Sequence, residues 1–392
     1  MFTENKKIKF LFVFFFVFIL LGITYPQMRY YKGNTHCHTL NSDGWATPDS
    51  VAKYYKFLGF DFLIITDHNF LTNGEGLNIP GFLLINGEEI TMTGTHFNGY
   101  RLSRLVNPSG YSPQRAIDSV NAQNAICILN HPRWVDSWYT YDMVMALKNI
   151  SHFEIYNLNS EVMGLWDSLL TGGNRKFLTM AADDSHSASA CGTRWIMVKT
   201  GALQRDSILN SIKNGNFYST SGILIDSINY NSTSIYIKFG TNCTSLKFIG
   251  KDGTVYKTVN SNIGSYTFNG SEKYIRIYAS GNGSLRAWTQ PVYINTLGIG
   301  SNQLTVKYSL CQNIPNPFNS KTKISFYIQK DGNVTLKIFN ILGKEISEPL
   351  NKFLKSGKHS FIYDVTELPS GIYYYKLISL NGSEIKKMII IK

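Results

Sequence analysis

Cysteine is scarce in this chain and follows no pattern. Its 392 residues include five cysteines, Cys37, Cys127, Cys191, Cys243 and Cys311, and none is spaced C-x-x-C. An odd, widely scattered set argues against a disulfide framework and for free buried thiols. Low-complexity tracts are also missing. With 43% hydrophobic and 14% aromatic residues, the composition excludes a disordered chain and suits globular structure rich in strands. The formal charge of +12 suggests nucleic acid, but its distribution does not. Residues 30–225 carry a net −2, and the excess of lysine lies mostly beyond residue 304. No basic stripe interleaved with aromatics runs through 30–225, so nucleic acid is not expected as a bulk partner.

The apolar run from Phe10 to Ile23 follows Lys6, Lys7 and Lys9 and stops before Pro26. It is short for a membrane span, and its layout is that of a secretory signal peptide over 1–26. No cysteine stands just after it to take a lipid, since the first is Cys37.

From about 30 to 225, short apolar strands alternate with helical segments. Thr47-Pro48 and Ser112-Pro113 place a capping hydroxyl before a proline at the first helical position, and Gly59 and Gly172 mark helix stops. The strands FLIIT, FLLIN, AICILN, FEIYN and FLTMAA are nearly continuous in apolar residues, as a covered, largely parallel sheet requires. Beyond 226 the pattern changes to period-two strands broken at Gly, Asn and Asp, which reads as a small antiparallel β domain over 226–304. A second block of that style fills 305–392, with Asp331-Gly332 and Asn381-Gly382 as expected hairpin turns.

The residues that carry chemistry stand just past the apolar strands of 30–225. Six of the eight histidines fall at such positions, together with Asp and Glu. GNTHCHTLNSDG (33–44) carries His36, His38 and Asp43; in an extended stretch the two imidazoles share one face, and Cys37 points to the other, as a core thiol. LIIT is followed by Asp67-His68, LLIN by Gly87-Glu88-Glu89 with His96 beyond, ICILN by His131-Pro132-Arg133, and FLTMAA by Asp183, Asp184 and His186. Glu154 lies inside FEIYN. In a barrel of parallel strands these positions converge on the face that carries catalytic loops. Mixed imidazole and carboxylate donors suit Zn, Mn or Fe, and spacing alone does not choose among them.

T-H-C-H-T with S-D-G, T-D-H-N, G-E-E-I-T, N-H-P and D-D-S-H, in that order over 30–225, resemble the polymerase-and-histidinol-phosphatase (PHP) family of metal-dependent hydrolases. GNFYSTSG and RAWTQPVYI look like its CehA/McbA-type branch. The resemblance implies a distorted (β/α)7 barrel over 27–225 holding two or three divalent ions. It assigns His36, His38, Glu89 and Asp184 to a first ion, with Glu89 bridging to a second held by His96 and His131. Asp43, His68 and His186 would hold a third. By their positions, Asp67 is expected to orient a ligand imidazole or to cap a helix or loop, and Glu154 to lie just behind the ligands, to join them or to form a buried salt bridge. Asp183 is expected just behind the ligands, and Arg133 or Arg194 to face an anionic substrate, with a surface ion pair as the alternative for Arg133. Glu88 should face away. The implied activity is ester hydrolysis by hydroxide generated at the ions, with a phosphorylated small molecule as the leading substrate class. Carboxyl or carbamate ester or amide hydrolysis at the same centre is the alternative, and a non-catalytic metal-containing surface binding protein is a third reading.

The closing block (309–392), with QNIPNPFN, FNILGKEI, PSGIYYYKL and a lysine-rich last strand, resembles the type A sorting domain read by the type IX secretion system. It implies an outer-membrane secretion machinery as partner and a final location at the cell surface or outside the cell. The block has twelve Lys against six Asp or Glu and none of the histidine-carboxylate constellation.

Overall fold

A computed structural model describes residues 28–294 and 308–392, apart from 135–136, 158–159, 174, 232, 314, 329–330 and 380–381. The segment read as a signal peptide lies outside the described residues. The described chain falls into two compact units, within 1–297 and 298–392.

In the first unit β1 (Arg29–Asn34), β2 (Phe62–Ile65) and β3 (Leu83–Met92) pair in parallel, as continuous apolar runs predict. Next comes β4 (Thr95–Tyr100), which folds back on β3 through Gly94 at φ +76° and then pairs antiparallel with β5 (Ile126–Leu129). β6 (His152–Asn157) and β7 (Leu178–Ala182) continue in parallel. On the other side of β1, β8 (Trp195–Thr200) and β9 (Phe217–Thr220) run antiparallel. The architecture is therefore mixed α/β. The hairpin β3–β4 is an antiparallel insertion that strand composition did not announce.

The β7 margin of this sheet meets the continuation of β1. Beyond β1 the chain runs on to pair with the segment beyond β7: Asp184 N–H donates to His36 O at 3.0 Å and His38 N–H to Ser185 O at 3.1 Å. This closure brings residues nearly 150 positions apart to one point. Close approach here needs glycine. A Cβ at Gly33 would lie 1.9 Å from the Phe62 ring, and one at Gly44 would lie 2.3 Å from the His38 backbone.

The helices begin where their caps predict. α1 (Pro48–Phe57) has Ser50 N–H donating to Thr47 Oγ1, and α2 (Pro113–Asn121) has Arg115 N–H donating to Ser112 Oγ. Each cap contributes about 1 kcal/mol. Gly59 leaves α1 at φ +77°, a conformation open to glycine. α3 (Tyr141–Ala146), α4 (Met163–Gly172) and α5 (Arg205–Lys213) complete the layer, and Trp166, Leu169 and Leu170 of α4 pack fully buried against Phe153 and Ile155 of β6.

The sheet does not stop at residue 225. β10 (Ile225–Tyr230), β11 (Ser234–Phe239) and β14 (Ile263–Thr267) form a separate three-stranded sheet. β12 (Cys243–Ile249), β13 (Val255–Val259), β15 (Tyr274–Gly281) and β16 (Arg286–Thr289) instead extend the large one, because β16 pairs with β9. Both sheets share one apolar cluster, with Ile235, Ile237 and Phe239 facing Leu246, Phe248 and Ile277.

In the second unit a three-stranded sheet (Tyr308–Leu310, Lys321–Ile328, Gly357–Asp364) and a four-stranded sheet (Gly332–Asn340, Glu345–Leu354, Gly371–Ser379, Gly382–Ile390) bury one cluster around Ile324, Leu336, Tyr375 and Met388. Here one expectation is corrected. Asp331-Gly332 is not a hairpin turn, since Lys321–Ile328 pairs with Gly357–Asp364 while Gly332–Asn340 pairs with Glu345–Leu354. The dipeptide carries the chain from one sheet to the other, because the strands flanking it place their apolar faces on the common core from opposite sides. At the other turn the strands pair as a hairpin, Ser379 opposite Gly382, with Asn381 outside the described residues.

Candidate metal centre

The paired continuations of β1 and β7 set His36, His38 and Asp184 side by side, and β3 presents Glu89 across from them. His36 Nε2 and His38 Nε2 lie 3.2 Å apart. Each stands 3.3 Å from Glu89 Oε2, and they lie 3.2 and 3.1 Å from Asp184 Oδ1. Five of the six distances among these four donor atoms lie between 3.1 and 3.3 Å, a spacing that suits atoms held about 2.0 Å from one shared ion, the bond length of zinc to nitrogen or oxygen. Glu89 Oε2 is buried without a hydrogen-bond partner. Its neighbours are ring nitrogens, including His68 Nδ1 at 3.0 Å. A buried carboxylate oxygen facing three imidazoles is the environment a cation would satisfy, and the donor set fits a divalent metal.

Charge points the same way. Burial pushes the Glu89 carboxyl up, yet the surrounding imidazoles, His36 first, hold it well below the usual carboxylate range. Burial likewise works against a charged His36, but Asp184, Glu154 and Glu89 together raise the ring well above its ordinary value. The carboxylates demand positive charge at this point.

The other oxygen of Glu89 turns toward a second group. Oε1 lies 3.1 Å from both His96 Nδ1 and His131 Nε2, and it accepts a hydrogen bond from Asn130 Nδ2 at 2.8 Å. A third group opens to solvent. Asp43 Oδ1 lies 3.4 Å from His38 Nδ1, and Oδ2 lies 3.3 Å from His186 Nε2 and 3.6 Å from His68 Nε2. Exposure rises from zero at the Glu89 and His36 side chains to 53% at Asp43, so the centre is a cluster with one closed end and one wet end. His131 and Asp184 adopt left-handed backbone, φ +23° and +50°, a strained conformation of the kind that collects at functional sites.

Behind the ligands, Glu154 Oε1 accepts from His36 Nδ1 at 2.7 Å, which leaves Nε2 as the donor atom toward an ion. Its Oε2 is held by His131 N–H at 2.9 Å and Asn157 Nδ2 at 2.6 Å. His186 Nδ1 pairs with Asp184 O at 3.0 Å and so turns its Nε2 toward Asp43.

One alternative is decided and one expectation changes. Asp67 does not orient His68. Its carboxylate accepts from Thr39 N–H, Thr39 Oγ1, Ser42 Oγ and Thr72 Oγ1, tying the 39–44 loop beneath the site. Asp183 likewise faces away from the ligands and collects the N–H groups of Gly192, Thr193 and Arg194 with the Tyr55 hydroxyl. Each stands next to a ligand in sequence, yet its carboxylate is taken up by hydroxyl and N–H donors away from the cluster. Glu88 behaves as expected, turning from the site to accept Val106 N–H at 2.9 Å, and Cys37 is fully buried in the cluster with Val51 and Leu63. The side chain of Arg133 lies outside the described residues. Asn34, Asn130 and Asn157 were not singled out by sequence, although each stands at or just past a strand end beside a ligand or its support. Asn34 Oδ1 accepts His36 N–H at 2.9 Å.

Residues 313–392 match the family described as the secretion system C-terminal sorting domain. They are a sorting domain. It directs the chain through type IX secretion to the cell surface or the extracellular space. An uncharacterized protein of Methanocaldococcus jannaschii is 28% identical over 116 residues, 26% of this chain and 67% of the relative. Among solved structures, a two-domain protein of Bacteroides vulgatus containing a predicted PHP-like metal-dependent phosphoesterase is 14% identical, with a TM-score of 0.42, over 83% of this chain and 96% of that one. A candidate metal-dependent phosphoesterase of Bifidobacterium adolescentis is 14% identical, with a TM-score of 0.32, over 39% of this chain and 87% of that one.

Proposed function

We propose that the chain ahead of the sorting domain is an exported metal-dependent hydrolase of the PHP type, in which a distorted (β/α)7 barrel over 27–225 holds two or three divalent ions and a β domain over 226–304 is appended. The observation that carries this reading is the convergence of His36 Nε2, His38 Nε2, Glu89 Oε2 and Asp184 Oδ1 on one buried point. His96 and His131 with Glu89 Oε1 would hold a second ion, and Asp43, His68 and His186 a third.

Divalent ions in such a cluster supply Lewis acidity and a water nucleophile at neutral pH. The chain's own part is positional. Glu154 fixes the His36 tautomer, Asn130 holds Glu89 so that its two oxygens face different groups, and the Asp67 network fixes the loop carrying Asp43. The exposed Asp43 end admits substrate and solvent. Phosphoester hydrolysis is the reaction best served, because adjacent ion sites sharing one carboxylate suit a tetrahedral centre with several charged oxygens.

The test is metal analysis of the full secreted chain with turnover of nitrophenyl phosphate, bis(nitrophenyl) phosphate, nitrophenyl acetate and a nitrophenyl carbamate. We expect bound transition metal and preference for a phosphate ester, with Glu89→Ala losing most metal and at least a hundred-fold in turnover while keeping its melting profile. Full activity in Glu89→Ala overturns the site; preference for acetate or carbamate moves the reaction class; bound metal with four inert esters leaves a binding protein.

A further inference from the structure

Two of the sequence motifs end on residues that hold no ligand position, Asn69 of T-D-H-N and Thr91 of G-E-E-I-T, and the fold brings them together. Where the chain runs on from β2 beside β3, Glu89 N–H donates to Asp67 O at 3.1 Å and Asn69 N–H to Glu89 O at 2.8 Å, the two bonds of a parallel bridge. The backbone then turns left-handed at Asn69, φ +48°. From there the Asn69 side-chain amide takes the place of the next peptide unit. Its Oδ1 accepts Thr91 N–H at 2.9 Å, and its Nδ2 donates to Thr91 O at 3.1 Å. Thr91 is thereby clamped at its backbone, two residues beyond Glu89 and so on the same face of β3.

The Thr91 hydroxyl meets His68, with Oγ1 at 2.5 Å from Nδ1. The hydroxyl proton has an acceptor of its own in Glu89 O at 3.3 Å, which leaves Oγ1 to accept from the ring. His68 Nδ1 also stands 3.0 Å from Glu89 Oε2, but that oxygen has no hydrogen-bond partner, so the ring proton is directed to Thr91. A neutral imidazole protonated at Nδ1 keeps its lone pair at Nε2. That nitrogen lies 3.6 Å from Asp43 Oδ2, in the exposed group that Asp43 forms with His186. Asp67, the neighbour of His68 in sequence, is taken up by the 39–44 loop and leaves this task to Thr91.

We propose that Thr91 is a positioning residue that holds His68 in the Nδ1–H tautomer and aims its Nε2 at the exposed group of Asp43 and His186. In that role it sets the affinity of the third ion position, as a hydrogen-bond partner behind a ligand imidazole does. That Nε2 meets an ion rests on the hydrolase reading; that Thr91 fixes the tautomer does not.

The test reads the two separately. The full chain is stripped of metal by chelator and isotope-labelled at its histidine rings. Proton–nitrogen NMR at about pH 9, above the ordinary histidine range, then reports the tautomer of each neutral ring, and His68→Gln identifies the His68 signals. Wild type and Thr91→Ser should show His68 protonated at Nδ1. Thr91→Val, nearly the same shape without the hydroxyl, should move the proton to Nε2 or give a mixture. Zinc titration of the same proteins, each checked by its melting profile, should find the tighter equivalents unchanged in Thr91→Val. Its weakest equivalent should lose roughly ten-fold or more in affinity, with Thr91→Ser near wild type. Wild type with His68 protonated at Nε2, a Thr91→Val tautomer equal to wild type, or Thr91→Ser as defective as Thr91→Val would overturn the assignment and leave Thr91 a packing residue. An altered tautomer with unchanged zinc affinity would strike its part at the third ion position. If the tautomer responds as expected while wild type binds no zinc, Thr91 keeps its hold on His68 and the metal reading falls. If zinc binds but the tautomer ignores Thr91, the reverse holds.

Discussion

Asn130 does more for the centre than its neutral side chain suggests. Its Nδ2–H is directed at Glu89 Oε1, and its Oδ1 accepts Asn98 N–H at 3.1 Å, so the amide is clamped from both ends. Asn130→Ala should let Glu89 rotate, costing metal at the His96–His131 group while His36, His38 and Asp184 keep theirs. Metal stoichiometry should fall by about one equivalent, with a ten- to hundred-fold loss of metal affinity at that position. A different residue adds to acid sensitivity. His152 is fully buried by its fold, and burial lowers its pKa to about 4. Its Nε2 donates to Ile212 O at 3.2 Å, and Nδ1 accepts from Ser151 Oγ at 3.1 Å, which uses both nitrogens of the neutral ring. Because the folded value is depressed, the contribution of His152 is complete above pH 6.5 and is lost as pH falls toward 4, a difference of about 3 kcal/mol. His152→Gln should flatten the decline of melting temperature between pH 6.5 and 4; an unchanged decline would place the acid sensitivity elsewhere.

At the level of elements, α4 is held to the second β block by a buried ion pair. Arg276 Nε and Nη2 each reach a different oxygen of Asp167 at 2.7 Å, Tyr274 OH adds a third bond at 3.0 Å, and the Arg276 side chain is 1% exposed. Such a pair adds little against an apolar replacement, but removing one partner strands a buried charge. Asp167→Ala should cost about 3–5 kcal/mol, read from urea unfolding of the full chain, while metal content per folded molecule stays constant. A loss under 1 kcal/mol would show that this ion pair does not hold α4 to the β block.

For the whole molecule, the continuous sheet sets where the chain can be cut. Ending it at 225 would leave β9 without its partner β16 and remove Trp288, which is fully buried in the cluster of α4 and β6. That product should aggregate, because an apolar edge strand would be exposed. A chain ending at 297 keeps the first unit intact and should fold, bind metal and keep its activity, yet accumulate inside the cell envelope for want of the sorting domain. Fractionation checks both halves: a soluble 1–225 product, or normal surface levels of the 1–297 product, would contradict them.

The sequence by itself determined the features that local chemistry controls. Thr47 and Ser112 announced their helices because a hydroxyl ahead of proline satisfies orphan N–H groups whatever surrounds it. The histidines and acids after apolar strands announced a cluster that could hold metal because chain direction alone puts them at one sheet edge, and the sorting domain was legible in its own strand and turn motifs. Tertiary structure decided what depends on pairing between distant segments. It turned β4 back on β3, gave Asp183 the N–H groups of Gly192, Thr193 and Arg194, and sent Asp67 to the loop rather than to His68. It carried the sheet past residue 225 into β16 and made Asp331-Gly332 a crossing between sheets. Periodicity reports which face of a strand is apolar, but not which strand lies beside it; that choice is made only when the apolar faces are buried together.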